Sequence, residues 1–179
     1  MLIQDDTLLV LVDVQGNLAQ AMHEREILLR NTAILVEGCR TLDLPVLWTE
    51  QIPAKMGPTV AGLQPLLKGL TPFEKSAFSC CQEAGFNELV AATGRHHVLV
   101  AGIESHVCVY QTALDLLVAG YTVDIVADAV SSRCASNKHI ALGAMRTAGA
   151  GIKTTEMCLF EIMRTARHDK FRDILRLVK

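Results

Sequence analysis

Five consecutive apolar residues, Leu8 to Val12, run directly into the carboxylate of Asp13. With no polar alternation, such a run predicts a strand buried on both faces, the habit of a parallel sheet. Over 26–42 the apolar positions Ile27, Leu28, Ile34, Leu35 and Leu42 keep helical spacing, and Pro45 pushes Leu44 out of the helical region. A second strand is predicted over 45–50. The stretch 51–69 carries Pro53, Gly57, Pro58, Gly62 and Pro65, which predicts a long loop with room for one short helix. Loops of that length are often functional, so this one is a candidate lid. A weaker strand falls within 71–78, and a helix over 82–93 closes at Gly94.

The second half alternates more cleanly. It reads as a strand over 97–102, a helix over 107–119 ending at Gly120, and a strand over 121–127. A helix over 137–148, a short strand over 151–154 and a helix over 155–165 come next. The last helix, 168–178, puts Phe171, Ile174, Leu175 and Val178 on one face. Strands alternating with helices imply βαβ units, hence an open, mostly parallel α/β sheet with helices on both faces. There is no repeat, linker or low-complexity tract, so 1–179 is expected to form one domain.

In such a sheet, ligands bind beyond the carboxyl ends of the strands where strand order reverses. Polar residues just past predicted strands are therefore the candidates. Asp13 follows the first strand and Glu50 the second, Lys75 lies in or beside the third, Glu104 to Cys108 follow the fourth, and Asp128 the fifth. Cys108 stands near a predicted helix start, where free N–H groups and the helix dipole favour an anion, which would lower the thiol pKa. Those N–H groups could also hold an oxyanion. Free cysteine is equally often a buried small apolar residue, so position alone leaves both readings open. Asp13 suits proton transfer, or equally a turn cap. Lys75 suits charge stabilisation, or equally a surface lysine with its stem on apolar neighbours. His106 lies two residues before Cys108 and cannot face it on a helix, while nothing singles out His139 or His168. Cys80 and Cys81 read as core or as shielding around the site; Cys39, Cys134 and Cys158 read as structural; Asp128 with Ser131 and Ser132 reads as a turn.

Composition narrows the classes. Half the residues are hydrophobic and 20% are charged, enough for a sizeable core. A net charge of −2 and 4% aromatics remove the usual reasons to propose nucleic acid as a partner. No apolar run approaches the roughly 20 residues that span a bilayer. Six cysteines without a CxxC, and no basic segment ahead of an apolar stretch near Met1, lead us to expect reduced thiols in a cytoplasmic protein. No glycine-rich phosphate loop is present, so no nucleotide cofactor is expected.

Four blocks, taken in order, resemble the isochorismatase-like cysteine hydrolases. They are Leu9-Val10-Leu11-Val12-Asp13-Val14-Gln15, Phe73-Glu74-Lys75-Ser76-Ala77-Phe78-Ser79, Val100 to Ala113 around Glu104-Ser105-His106-Val107-Cys108, and Asp128-Ala129-Val130-Ser131-Ser132. The resemblance spans nearly the whole chain and is closest to short isochorismatase-domain proteins of undefined substrate. It implies a six-stranded parallel sheet, an Asp13–Lys75–Cys108 triad, a cis Ile103–Glu104 peptide, and an oxyanion hole from the N–H groups of Glu104 and Cys108. Gln15, Glu50 and Phe78 become expected substrate contacts. Nicotinamidases in this family bind a metal through an Asp-x-His arrangement after the second strand. Here that position reads Thr49-Glu50-Gln51-Ile52-Pro53, so no metal is expected. The implied reaction is hydrolysis of a small amide-like substrate through a thioester, in a homo-oligomer. The alternative is a binding or scaffold protein that retains the fold.

Overall fold

The computed structural model describes residues 1–179. Strands β1 (Thr7–Val12), β2 (Val46–Gln51), β3 (Phe73–Lys75), β4 (His97–Ile103), β5 (Thr122–Ser131) and β6 (Gly151–Lys153) form one sheet in the order β3-β2-β1-β4-β5-β6. Every pairing is parallel. The helices are α1 (Gly16–Gln20), α2 (Arg25–Thr41), α3 (Pro53–Met56), α4 (Phe86–Ala92), α5 (Tyr110–Val118), α6 (Ala135–Thr147), α7 (Thr155–Met163) and α8 (Phe171–Val178).

The uninterrupted apolar run of β1 is explained by its two faces. Leu9 and Leu11 pack with α2, α7 and α8 through residues such as Leu35, Leu159 and Ile174. Leu8, Val10 and Val12 pack with α4, α5 and α6 through Phe86, Leu116 and Met145. Helices on both faces of the sheet make the three layers that the alternation of elements implies. The chain leaves β1 toward β2 and β3, then returns to place β4 on the other side of β1. Strand order thus reverses between β1 and β4, and Asp13 and Cys108 are delivered at that reversal.

Close contact between those two strands depends on a glycine. Gly102 sits at φ +117°, and a Cβ there would lie 2.0 Å from the carbonyl oxygen of Val12. No other residue fits between the ends of β1 and β4.

Three expectations change. The 51–69 segment is not a free lid: it contains α3, and Leu63 and Leu67 are buried in the core. The predicted helix over 82–93 begins only at Phe86, after Gly85 turns the chain at φ +89°. Asp128 lies inside β5, which runs past the predicted end at 127 with a register shift opposite Val100 and Gly102. Its Oδ1 accepts from the Thr155 N–H and hydroxyl at 2.8 and 3.0 Å, so it caps α7 instead of a turn after β5. No helix is long and apolar enough to cross a membrane.

Candidate active site

Asp13 leaves β1 at φ +51°, a left-handed conformation that aspartate tolerates at a cost of about 1 kcal/mol. The turn aims its carboxylate across the sheet edge toward β2. There Thr49 donates to Oδ1 at 2.7 Å, and Lys75 Nζ lies 2.7 Å from Oδ2. The Lys75 and Asp13 side chains are 0% and 3% exposed, so the lysine is no surface residue. Its three N–H groups are directed to Gln51 Oε1 at 2.6 Å and to the carbonyls of Ala77 and Phe78 at 3.1 and 3.2 Å. Asp13 Oδ2 is therefore held by charge and proximity without an aligned donor, which leaves it lone-pair capacity for a proton. Burial alone would depress the Lys75 pKa. The charge of Asp13, aided by Cys80 and Cys108, more than offsets it and holds the ammonium above its ordinary value.

Cys108 is buried, in a π-helical turn (Ser105–Val109) between β4 and α5, and not in the first turn of an α-helix as expected. Such turns are rare and frequent at functional sites. The Ile103–Glu104 peptide just before it is cis. Burial, then the Asp13 carboxylate, push the Cys108 thiol up to about 12, with Lys75 pulling the other way. This reverses the lowered value expected from a helix N-terminus. A standing thiolate is scarce at neutral pH, so attack has to be coupled to proton removal by a neighbouring base. Iodoacetamide labelling of Cys108 is accordingly expected to accelerate about tenfold per pH unit between pH 7 and 10, as the thiolate fraction rises. Peptide mass mapping would resolve it from Cys134, which is exposed and not structural. A rate independent of pH would mean that the thiolate already exists at neutrality.

Beside the thiol lies a cavity of about 270 Å³ lined by Asp13, Cys108 and Glu104 among others. Phe78 and Gln15 also reach it, whereas Glu50 does not. Glu50 is buried and its Oε1 accepts from the N–H and hydroxyl of Thr59 at 2.6 and 2.8 Å, so it anchors the 51–69 segment instead of facing a substrate. Gln15 serves the scaffold too. Its Oε1 accepts from the Gln51 N–H at 2.6 Å, and its Nε2 donates to the carbonyls of Gln51 and Gly57 at 3.2 and 2.7 Å. Sequence reasoning missed Gln51. It pairs in register with Lys75, and its Oε1 lies 4.0 Å from Cys108 Sγ. Its signal is its place at the end of β2, one residue beyond the predicted strand and therefore read as the start of the 51–69 loop. No three His, Cys, Asp or Glu side chains converge as a metal site.

The isochorismatase domain model matches residues 7–157. The chain belongs to the isochorismatase family. It is 36% identical to isochorismatase domain-containing protein 2 of Danio rerio, over 96% of this chain and 86% of that one. Among solved structures, the MAR1 ribonuclease of Caenorhabditis elegans superposes with a TM-score of 0.93 at 31% identity, covering 99% of this chain and 91% of that one. The YcaC gene product of Escherichia coli, described as an octameric hydrolase of unknown specificity, gives 0.90 at 25% identity over 99% and 94%. The protein is thus a hydrolase-fold member of the isochorismatase family.

Proposed function

We propose that this isochorismatase-family protein hydrolyses a small amide-like substrate with Cys108 as nucleophile. The observation that carries the reading is the buried Asp13–Lys75 ion pair beside a cavity-lining thiol. The Asp13 carboxylate lines the same cavity as the thiol. In the first half-reaction it takes the thiol proton as sulfur bonds to the carbonyl carbon. The oxyanion is held by the N–H groups of Glu104 and Cys108. Asp13 returns that proton to the amine as the C–N bond breaks, leaving a thioester. In the second half-reaction Asp13 takes a proton from water, whose oxygen bonds to the acyl carbon. The C–S bond breaks, the thiol recovers the proton, and a carboxylic acid leaves. Lys75 keeps its charge throughout and holds the Asp13 carboxylate in place at 2.7 Å.

The test is intact-mass analysis of the protein mixed with a panel of nicotinamide, carbamoylated amines, ureides, aliphatic amides and isochorismate. An acyl adduct or product formed by the native chain and lost on Cys108→Ala is the expected result. No adduct and no product would point to a binding or scaffold protein on the same fold. A second reading, RNA cleavage, is favoured by the name of the C. elegans relative. The cavity opposes it, since Lys55 is its one lining cation and the chain carries a net charge of −2. Incubation with RNA beside the amide panel separates the two. We further propose a homo-oligomer, in keeping with the octameric YcaC. On the helical surfaces available for such contacts, α7 spends Leu159, Ile162 and Met163 on the core, whereas Val118 at the end of α5 is 88% exposed.

A further inference from the structure

We propose that the cavity selects a carbonyl compound whose body is compact, uncharged and apolar. The proposal rests on the hydrolase reading only for where the reacting carbonyl sits. It comes from following each polar group in the lining to its partner. Both Gln15 amide hydrogens are donated to main-chain carbonyls, and its oxygen accepts a main-chain N–H. Gln51 accepts from Lys75 through Oε1 and donates through Nε2 to the Ser76 carbonyl at 2.7 Å. The Glu104 carboxylate accepts from the Arg133 N–H and Nε, both at 3.1 Å. Asp13 is engaged by Thr49 and Lys75. These residues line the cavity, yet most of their hydrogen-bonding groups are turned into the protein; the exceptions are Asp13 Oδ2, which the reaction uses, and the second Glu104 oxygen.

What faces the ligand is apolar: Leu18, Ile52, Met56, Phe78, Ile103 and Val107. Two of these positions carry their side chains at a cost. Ile52 is held at φ +38°, where glycine or asparagine would be less strained, and a β-branched residue there is an outlier. Phe78 is 57% exposed, with its main chain tied to Lys75 through the carbonyl. Keeping an isoleucine in a strained conformation and an exposed phenyl ring at the cavity serves contact with an apolar ligand. The one unpaired charge in the lining is Lys55, which is exposed and makes no ion pair. A ligand bearing hydroxyl, ureido or charged groups on its body would lose water and find no partner along these walls.

Calorimetry on the Cys108→Ala protein tests this without depending on turnover. The probes are acetamide, propionamide, butyramide and isobutyramide, set against glycinamide, N-methylurea and malonamate. Affinity is expected to rise about fourfold per added methylene until the cavity is full. The polar and charged probes are expected to bind at least about tenfold more weakly than their apolar counterparts. Phe78→Ser, at an exposed ring that the core does not need, is expected to flatten the chain-length gain. Equal or tighter binding of the polar probes would overturn the proposal, as would failure of every apolar amide to bind. Tighter malonamate binding that is lost on Lys55→Met would also overturn it, by moving recognition to the rim. If the native protein binds the apolar series but hydrolyses none of it, the hydrolase reading fails and this one stands. Hydrolysis of ureides in preference to alkyl amides would keep the hydrolase reading and overturn this one.

Discussion

Turnover of a responsive amide is expected to fall by on the order of 10⁴ to 10⁶ when Cys108 is replaced by alanine, with the melting temperature nearly unchanged. The size of the loss follows from what remains. Without the sulfur, the cavity and its N–H groups can still bind the substrate, but no covalent intermediate forms and Asp13 has no thiol to activate. The small effect on stability has its own cause. The thiol packs beside the sheet without a strong hydrogen bond, its contact with Gln51 Oε1 being 4.0 Å long. Truncation removes one buried atom, worth about 1 kcal/mol, or roughly 2–4 °C for a chain of this size. Steady-state rates and a thermal melt on the same preparation check both halves. Retention of more than about a tenth of native turnover would remove Cys108 as the nucleophile.

Lys75→Met should cost far more stability. The Lys75–Asp13 pair is almost wholly shielded from water, so removing the cation leaves Asp13 with Thr49 as its one strong partner. Breaking a buried pair from one side costs about 3–5 kcal/mol, which lowers the melting temperature by roughly 6–20 °C. Turnover should fall as well, since the Asp13 carboxylate would lose the cation that holds it beside the thiol. The pair also fixes a pH dependence. Lys75 has a raised pKa in the folded state, so its contribution is complete below the unfolded value of 10.5 and is lost as pH rises through the folded one. The difference in stability between native protein and variant should therefore be flat across neutral pH and shrink only in strong alkali. A second replacement, Asp13→Asn on top of Lys75→Met, is expected to restore much of the loss, because it removes the stranded charge. Chemical denaturation of the native protein and both variants measures this. A single variant as stable as the native chain would mean that the pair contributes nothing to folding.

Much of the architecture is legible in the sequence because hydrophobic pattern is local information. The two-faced burial of β1 is written in Leu8 to Val12, and the long stripe of α2 in its helical spacing. Asp13, Lys75 and Cys108 come up among the candidates because a parallel sheet gathers whatever follows its strands on one edge, and the family resemblance implies the three as a set. The errors have physical causes. Glu50 follows β2 as Asp13 follows β1, and nothing in the sequence says that Thr59 comes back to occupy its carboxylate. Gln15 lines the cavity, and what the sequence does not show is that its amide is taken up by main-chain partners more than thirty positions away. A lowered Cys108 pKa follows from a helix terminus, an effect of about one turn of backbone. Burial and the Asp13 charge, which depend on the tertiary fold, prove larger. The polar Asp128 suggests too early a close for β5, although its carboxylate faces α7.

The anchoring of the 51–69 segment has a consequence for the energetics of association. Gln15 bridges Gln51 and Gly57, Glu50 holds Thr59, Gly16 donates to the Pro58 carbonyl at 3.0 Å, and Val60 donates to Val14 at the same distance. Gly16 has no Cβ to spare, since one would come within 1.8 Å of the Met56 carbonyl oxygen. The wall of the cavity is therefore ordered when the chain folds, and a ligand does not have to order it again. Binding keeps the free energy that an induced-fit loop would consume as lost conformational entropy. Its heat-capacity change should reflect the apolar surface of ligand and cavity alone, with no added contribution from a loop condensing around the guest.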